Sequence, residues 1–222
     1  GSASEASFDI SVPFTSSSKG LLVYTFVLAN ADDALSVKID PAGANTDVPA
    51  VSGGRAVDTA GEAGDCKTWF LGSGLPTSTT TVRINRTNNA NVMYAVANTQ
   101  TAGGTTEVYT SGIVLTSTDG IVAEDSVDDG SPGTNSIRYS GAYFGGNNVP
   151  PAGANSTSLQ SIDFGSFVIG TYRETTAGQG ARSVGGNSNP ATDDRAVVSL
   201  AVREVAASGG KPWLYYYRQR AA

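Results

Sequence analysis

Acidic side chains are the residues of this sequence with the clearest capacity for chemistry. The chain has no histidine and a single cysteine, Cys66, which excludes a histidine-assisted nucleophile and the usual zinc sites. Pairs of carboxylates remain possible, and two acids at suitable spacing in the segment 124–129 could hydrolyse a glycan. The same loop offers oxygen ligands for calcium, the one cofactor that the composition leaves open, at Asp119, Asp125, Asp128 and Asp129. The alternative is that these aspartates only hydrogen-bond the local backbone of turns.

Aromatic side chains suggest a second kind of site, one that binds sugars. Tyr139 and Tyr143 lie in a strand-like segment, and period-two alternation places both on one face of that strand. Asn147 and Asn148 follow in a Gly- and Pro-rich loop. If the tyrosine face is exposed, the rings could stack on a glycan while the amides hydrogen-bond its hydroxyl groups. The alternative is that this face belongs to the hydrophobic core.

The last residues form a basic aromatic segment that differs from the rest of the chain. Gly209 and Gly210 precede it as a hinge, and alternation leaves apolar side chains on both of its faces. Tryptophan, tyrosine and arginine concentrate binding energy at protein interfaces. We therefore predict that the segment docks on another subunit through Trp213, Leu214, Tyr215, Tyr216, Tyr217 and Arg218. The alternative is that it pairs within its own domain as a last edge strand.

The elements that must position these residues are β-strands. Short β-branched and aromatic runs alternate with clusters of Gly, Pro, Asn and Asp, and the run GLLVYTFVLA at 20–29 is typical of a central strand. The pattern predicts an all-β fold, an antiparallel β-sandwich of jelly-roll type with about ten to twelve strands. We assign residues 1–208 to one sandwich domain and residues 209–222 to the docking tail. The segments 117–134 and 145–158 are expected to be outer loops.

Charge and hydropathy limit the partners. The net charge is −6, which disfavours binding of nucleic acid because phosphates would be repelled. No apolar run reaches the ~20 residues that a membrane-spanning helix needs, so membrane insertion is not expected. Charged residues make up only 15% of the chain, a proportion that suits an extracellular or virion-surface protein. Cys66 lies in the apolar run CKTWFL and is expected to be a buried, unreactive thiol.

The second half of the chain resembles a known class of protein. The segments TEVYTSGIVLTSTDG, SIRYSGAYFG, SIDFGSFVIGTYRETTAGQG and DDRAVVSLAVREV, within about residues 105–205, are similar to β-rich structural proteins of bacteriophage virions. The resemblance implies a non-catalytic component of the head surface or the tail. It also implies other virion subunits as partners, and virion symmetry favours a homo-oligomer. The alternative function is a carbohydrate-binding β-sandwich module that recognises cell-surface glycans of the host.

Overall fold

The computed structural model describes residues 7–28, 32–59, 64–87, 93–102, 104–116, 124–129, 136–145, 150–187 and 195–205. These ranges contain fifteen β-strands and no helix. In chain order the strands are β1 Ser7–Pro13, β2 Ser18–Val27, β3 Ala34–Ile39, β4 Thr46–Val48, β5 Ala50–Asp58, β6 Gly64–Leu71, β7 Thr79–Arg86, β8 Met93–Thr101, β9 Thr106–Thr116, β10 Asp125–Asp128, β11 Ser136–Gly145, β12 Ser156–Asp163, β13 Phe167–Glu174, β14 Ala181–Val184 and β15 Arg195–Glu204.

The strands form four antiparallel sheets. Sheet I has the order β1-β7-β3-β4, and sheet II has the order β5-β6-β2-β8. Sheet III has the order β12-β13-β11-β15-β9, and sheet IV pairs β10 with β14. The first half of the chain therefore builds sheets I and II, and the second half builds sheets III and IV. The predicted all-β antiparallel sandwich is confirmed.

Three layers of apolar side chains hold the sheets together, which makes the molecule a stack of four β-layers. The first layer, between sheets I and II, includes Val12, Leu21, Val23, Ile39, Trp69 and Ile84. The second, between sheets II and III, includes Leu22, Tyr24, Phe26, Phe70, Tyr143, Ile169, Val198 and Leu200. The third, between sheets III and IV, includes Val127, Phe144, Val168, Tyr172, Val184 and Val197.

The number of layers follows from strands that are apolar on both faces. In β2, Leu21 and Val23 point to sheet I, while Leu22 and Tyr24 point to sheet III. Strands β11 and β15 are likewise buried on both sides. A strand with two apolar faces needs a layer on each side of it, as the continuous hydrophobic runs of fully buried strands show. The two-sheet arrangement of a jelly roll would leave one of these faces uncovered.

Short strands account for the excess over the predicted count. The segment 159–175, which reads as one long strand, is divided into β12 and β13 by Gly165, whose φ of 87° suits a turn. The segment 117–134, expected to be a loop, contains the short strand β10. Residues 209–222 lie outside the described residues, so the division into a domain and a tail stays a prediction.

Glycines allow sheets II and III to approach each other closely. A Cβ atom built on Gly141 of β11 would overlap the ring of Tyr24, and one built on Gly64 of β6 would overlap the ring of Tyr143. The Cys66 thiol, buried as predicted, donates a hydrogen bond to the Gly141 carbonyl across the same layer, at 3.4 Å. The absence of a side chain at these glycines thus allows the two halves of the chain to pack closely.

Candidate functional site

The tyrosines predicted to stack on a sugar lie in the core. Tyr139 and Tyr143 share a face, as alternation predicts, but sheet II covers that face and leaves them 5% and 2% exposed. The ring of Tyr143 stacks on Phe167 with centroids 6.0 Å apart. The prediction that these rings are open to a glycan is therefore wrong. Asn147 and Asn148 lie outside the described residues.

The acids predicted to bind calcium are bound by donors of the protein itself. Asp125 accepts a hydrogen bond from Ser199 Oγ at 2.7 Å, and the fully buried Asp129 accepts one from Ser136 Oγ at 2.7 Å. Asp128 is exposed at the end of β10, and Asp119 lies outside the described residues. Among the described residues, no three His, Cys, Asp or Glu side chains are grouped so that they could hold a metal ion. The described aspartates thus form no such group, and the calcium site, which also includes Asp119, stays a prediction.

Glu124, the first acid of the segment proposed for glycan hydrolysis, also has a structural role. Its Oε1 accepts hydrogen bonds from the Asn155 backbone amide and from Ser156 Oγ, both at 2.8 Å. These bonds hold the residue that precedes β10 against the start of β12. The carboxylate thus serves to fix a turn.

A buried charge network lies where sheets III and IV meet. The Arg138 side chain is fully buried and pairs with Glu174 at 3.3 Å and with Asp129 at 3.8 Å. Its guanidinium also donates to the backbone carbonyls of Val127, Ser136, Gly178 and Gly180. Arg182, which is partly exposed, pairs with the other oxygen of Glu174. The network ties β10, β11 and the turn after β13 into one unit.

A polar cleft lies at one edge of the second apolar layer, between sheets II and III. β8 is an edge strand of sheet II, and Asn98 and Gln100 point toward sheet III on the same face as Val96, which packs in that layer. From sheet III, Tyr139 and Arg173 point toward sheet II. The two residues lie directly opposite each other where β11 pairs with β13. The apolar layer therefore ends in side chains that carry hydrogen-bonding groups.

Two adjoining cavities form this cleft. Their volumes are about 270 and about 260 Å³, and both are lined by Thr99, Gln100, Tyr139 and Arg173. The smaller cavity has additional walls from Val12, Pro13, Ala97, Asn98 and Leu159. The larger cavity extends toward the end of β15 and includes Arg203 and Glu204.

In the part that the two cavities share, the electrostatics of the cleft are set by one buried hydroxyl and one exposed cation. Tyr139 donates its hydroxyl proton to Gln100 Oε1, and burial raises its pKa to about 12 although the positive charge of Arg173 and this hydrogen bond lower it. Arg173 is exposed and has no hydrogen bond or ion pair within the described part of the chain. The amide nitrogens of Asn98 and Gln100 are buried without an acceptor. The cleft therefore presents several unused donors.

Searches against family models, curated proteins and solved structures found no match to this chain.

Sequence reasoning missed both the buried network and the cleft. A single arginine within the otherwise uncharged strand SIRYSGAYFG was the available signal for Arg138, since an isolated charge in a strand with two apolar faces must be paired. Arg173 ends the apolar run of β13 in the same way. Its partners in the cleft, Asn98 and Gln100, are more than seventy residues away in the sequence and gave no local signal.

Proposed function

We propose that this chain is a non-catalytic structural protein of a bacteriophage virion, located on the particle surface as a head or tail component. Its partners are other virion subunits and further copies of itself, and it binds neither nucleic acid nor the interior of a membrane. Among the described residues, no helix is long and apolar enough to cross a membrane. The resemblance of residues 105–205 to phage structural proteins supports the virion assignment.

One observation supports the proposal that the protein is not catalytic: the buried acids all have partners within the protein. Each buried carboxylate in the described ranges accepts a hydrogen bond or forms an ion pair, and a chain without histidine has few other groups that transfer protons. The donors are Thr87 for Asp33, the Arg195 amide for Asp58, Arg55 for Asp65, Ser136 for Asp129, and both Arg138 and Arg182 for Glu174. Each of these acids thus has a partner within the protein.

The four-layer architecture also supports a structural role. Three apolar layers bury both faces of the central strands of sheets II and III, whereas the edge strand β12 of sheet III is largely exposed. The edge strands of the two inner sheets all contain or face a register shift; they are β5, β8, β9 and β12. Such irregular edges discourage uncontrolled pairing between molecules, which leaves assembly to dedicated segments.

The dedicated segment in this proposal is the C-terminal tail. The last described residue, Val205, donates its backbone amide to the Thr105 carbonyl at 2.8 Å, which holds the end of the described chain beside the start of β9. Thr105 precedes β9, an edge strand of that sheet. The residues proposed to dock on a neighbouring subunit, all outside the described residues, are Trp213, Leu214, Tyr215, Tyr216, Tyr217 and Arg218.

Deletion of residues 209–222 tests the assembly mechanism. We expect the full chain to form an oligomer by light scattering and to join the particle, and the chain ending at residue 208 to do neither. A variant with Lys211→Ala and Arg220→Ala keeps the aromatic residues and serves as the matched control, which should still assemble. Equal masses and equal incorporation for the full and shortened chains would refute docking through the tail. Absence of the protein from purified particles, or turnover of a glycan by the purified chain, would refute the wider proposal.

A further inference from the structure

The unused donors of the polar cleft point to a ligand. Gln100 is 6% exposed, its Oε1 is occupied by the Tyr139 hydroxyl, and its Nε2 has no acceptor. Asn98 Nδ2, in the same cavity, is likewise buried without an acceptor. A buried donor without a partner is destabilising, and an oxygen atom of a ligand would offset that cost.

Arg173 determines the charge of that ligand. It contributes the single charged side chain among the residues that line the smaller cavity. Because it is exposed and has no ion pair in the described part of the chain, its guanidinium is available for a planar two-oxygen group. In the larger cavity the second arginine, Arg203, is already paired with Glu107 at 2.7 Å. The carboxylate of a ligand would therefore bind Arg173 on the side of the smaller cavity.

The remaining walls suit a sugar ring. Val12, Pro13 and Leu159 provide apolar surface for its C–H groups, while the two amides provide donors for its ring and hydroxyl oxygens. A volume of about 260 Å³ is just below the ~300–1,000 Å³ typical of small-molecule sites, which fits one sugar unit better than a peptide. The adjoining cavity, which shares Arg173 and Gln100, gives room for a neighbouring unit of a chain.

We propose that the cleft between β8 and β13 binds an acidic sugar, with Arg173 holding its carboxylate and Gln100 and Asn98 donating to its other oxygens. The site differs from the tyrosine face considered from the sequence, because Tyr139 acts here only by orienting the Gln100 amide. It does not depend on the proposed virion role, since the residues that line the cleft are described residues and none belongs to the tail.

Binding of paired sugars to the full chain tests the site. Methyl glucuronide, methyl galacturonide and methyl N-acetylneuraminide would be compared by calorimetry or ligand-observed NMR with methyl glucoside and methyl galactoside. We expect at least one acidic sugar to bind at least about tenfold more tightly than the neutral sugars. We expect Arg173→Gln to weaken that binding by about ten- to a hundredfold, the loss typical of a charge-assisted hydrogen-bonded contact. Arg173→Lys should lie between the two, because lysine lacks the planar pair of donors.

The controls separate specific binding from general attraction. Arg83→Gln removes another exposed arginine, on sheet I, and should leave sugar binding unchanged. Asn98→Asp adds a negative charge to the cavity and should weaken binding of acidic sugars. Arg173→Gln should melt within a few degrees of the parent chain, because Arg173 is exposed and holds no hydrogen bond or ion pair in the described structure. Failure of every acidic sugar to bind overturns the proposal, and so does equal binding of neutral sugars, inorganic phosphate or N-acetylglutamate, or unchanged binding by Arg173→Gln.

Discussion

Replacement of Asp65 by asparagine should change how the stability of this protein depends on pH. Asp65 is buried in β6, where its carboxylate lies 2.5 Å from Arg55 Nη2. Burial outweighs the attraction of Arg55 and raises the pKa of Asp65 from 3.8 to about 6. The folded state therefore holds the Asp65 proton more tightly than the unfolded chain does.

The sign and the size of the effect follow from this difference in pKa. Below pH 3.8 the carboxyl is protonated in both states, and its contribution to stability is complete. As the pH rises to about 6 and above, the folded state must ionise a buried group, and that contribution is lost. A shift of about two units corresponds to about 3 kcal/mol, of which about 2 to 3 kcal/mol falls between pH 4 and 7.5.

The assay is urea denaturation of the parent chain and Asp65→Asn at several pH values, followed by circular dichroism. Asparagine does not ionise, so the free energy of unfolding of the variant minus that of the parent should rise by about 2 to 3 kcal/mol from pH 4 to 7.5. Loss of the bond to Arg55 shifts the free energy of unfolding of the variant by a similar amount at every pH, so it does not alter the change in this difference between pH 4 and 7.5. Asp9→Asn is the matched control: the hydrogen bond from Arg83 lowers the pKa of Asp9 below 3.8, so its effect on stability changes mainly below pH 4, and the difference between this variant and the parent should stay nearly flat from pH 4 to 7.5. Parallel pH profiles for Asp65→Asn and the parent would refute the reasoning.

Two further predictions concern buried groups of the second half and of the central layer. Arg138→Met should lower the free energy of unfolding by about 3–5 kcal/mol, because Glu174 and Asp129 would lose a buried partner, whereas Arg182→Met should cost about 1 kcal/mol or less. Similar losses in urea denaturation of the two variants would contradict the assignment of Arg138 as the centre of the network. Burial raises the pKa of the Cys66 thiol well above its usual range, so iodoacetamide should label Cys66 in urea but not in the native protein. Rapid labelling under native conditions, detected by mass spectrometry, would show that the layer between sheets II and III opens.

The parts of the fold that could be predicted are those that depend on local patterns of the sequence. Period-two alternation and turn residues predict the strands, and the uninterrupted apolar run around Leu22 predicts that β2 is central. The same local pattern places Tyr139 and Tyr143 on one face. It does not tell which side of a strand another sheet will cover, because that sheet comes from residues tens of positions away. The prediction that the tyrosines are open to a sugar was wrong because the local pattern could not show that sheet II covers them.

The candidate sites could not be predicted for the same reason. Arg138 and Glu174 are 36 residues apart, and Gln100 and Tyr139 are 39 apart, so neither pairing has a signature in spacing. An aspartate-rich segment such as that around Asp125 resembles a cation loop in composition. Its carboxylates are nevertheless bound by serine hydroxyls from other strands, and only the packed sheets show this.

The position of β15 has a consequence for the order in which the protein can be completed during synthesis. β15 lies between β9 and β11 in sheet III, yet it is the last described strand to leave the ribosome. Sheets I and II can form while the second half is still being translated, but the part of sheet II that packs against β15, on β5 and β6, stays open to water until β15 arrives. Nascent chains halted before residue 195 should therefore be the species most prone to bind chaperones.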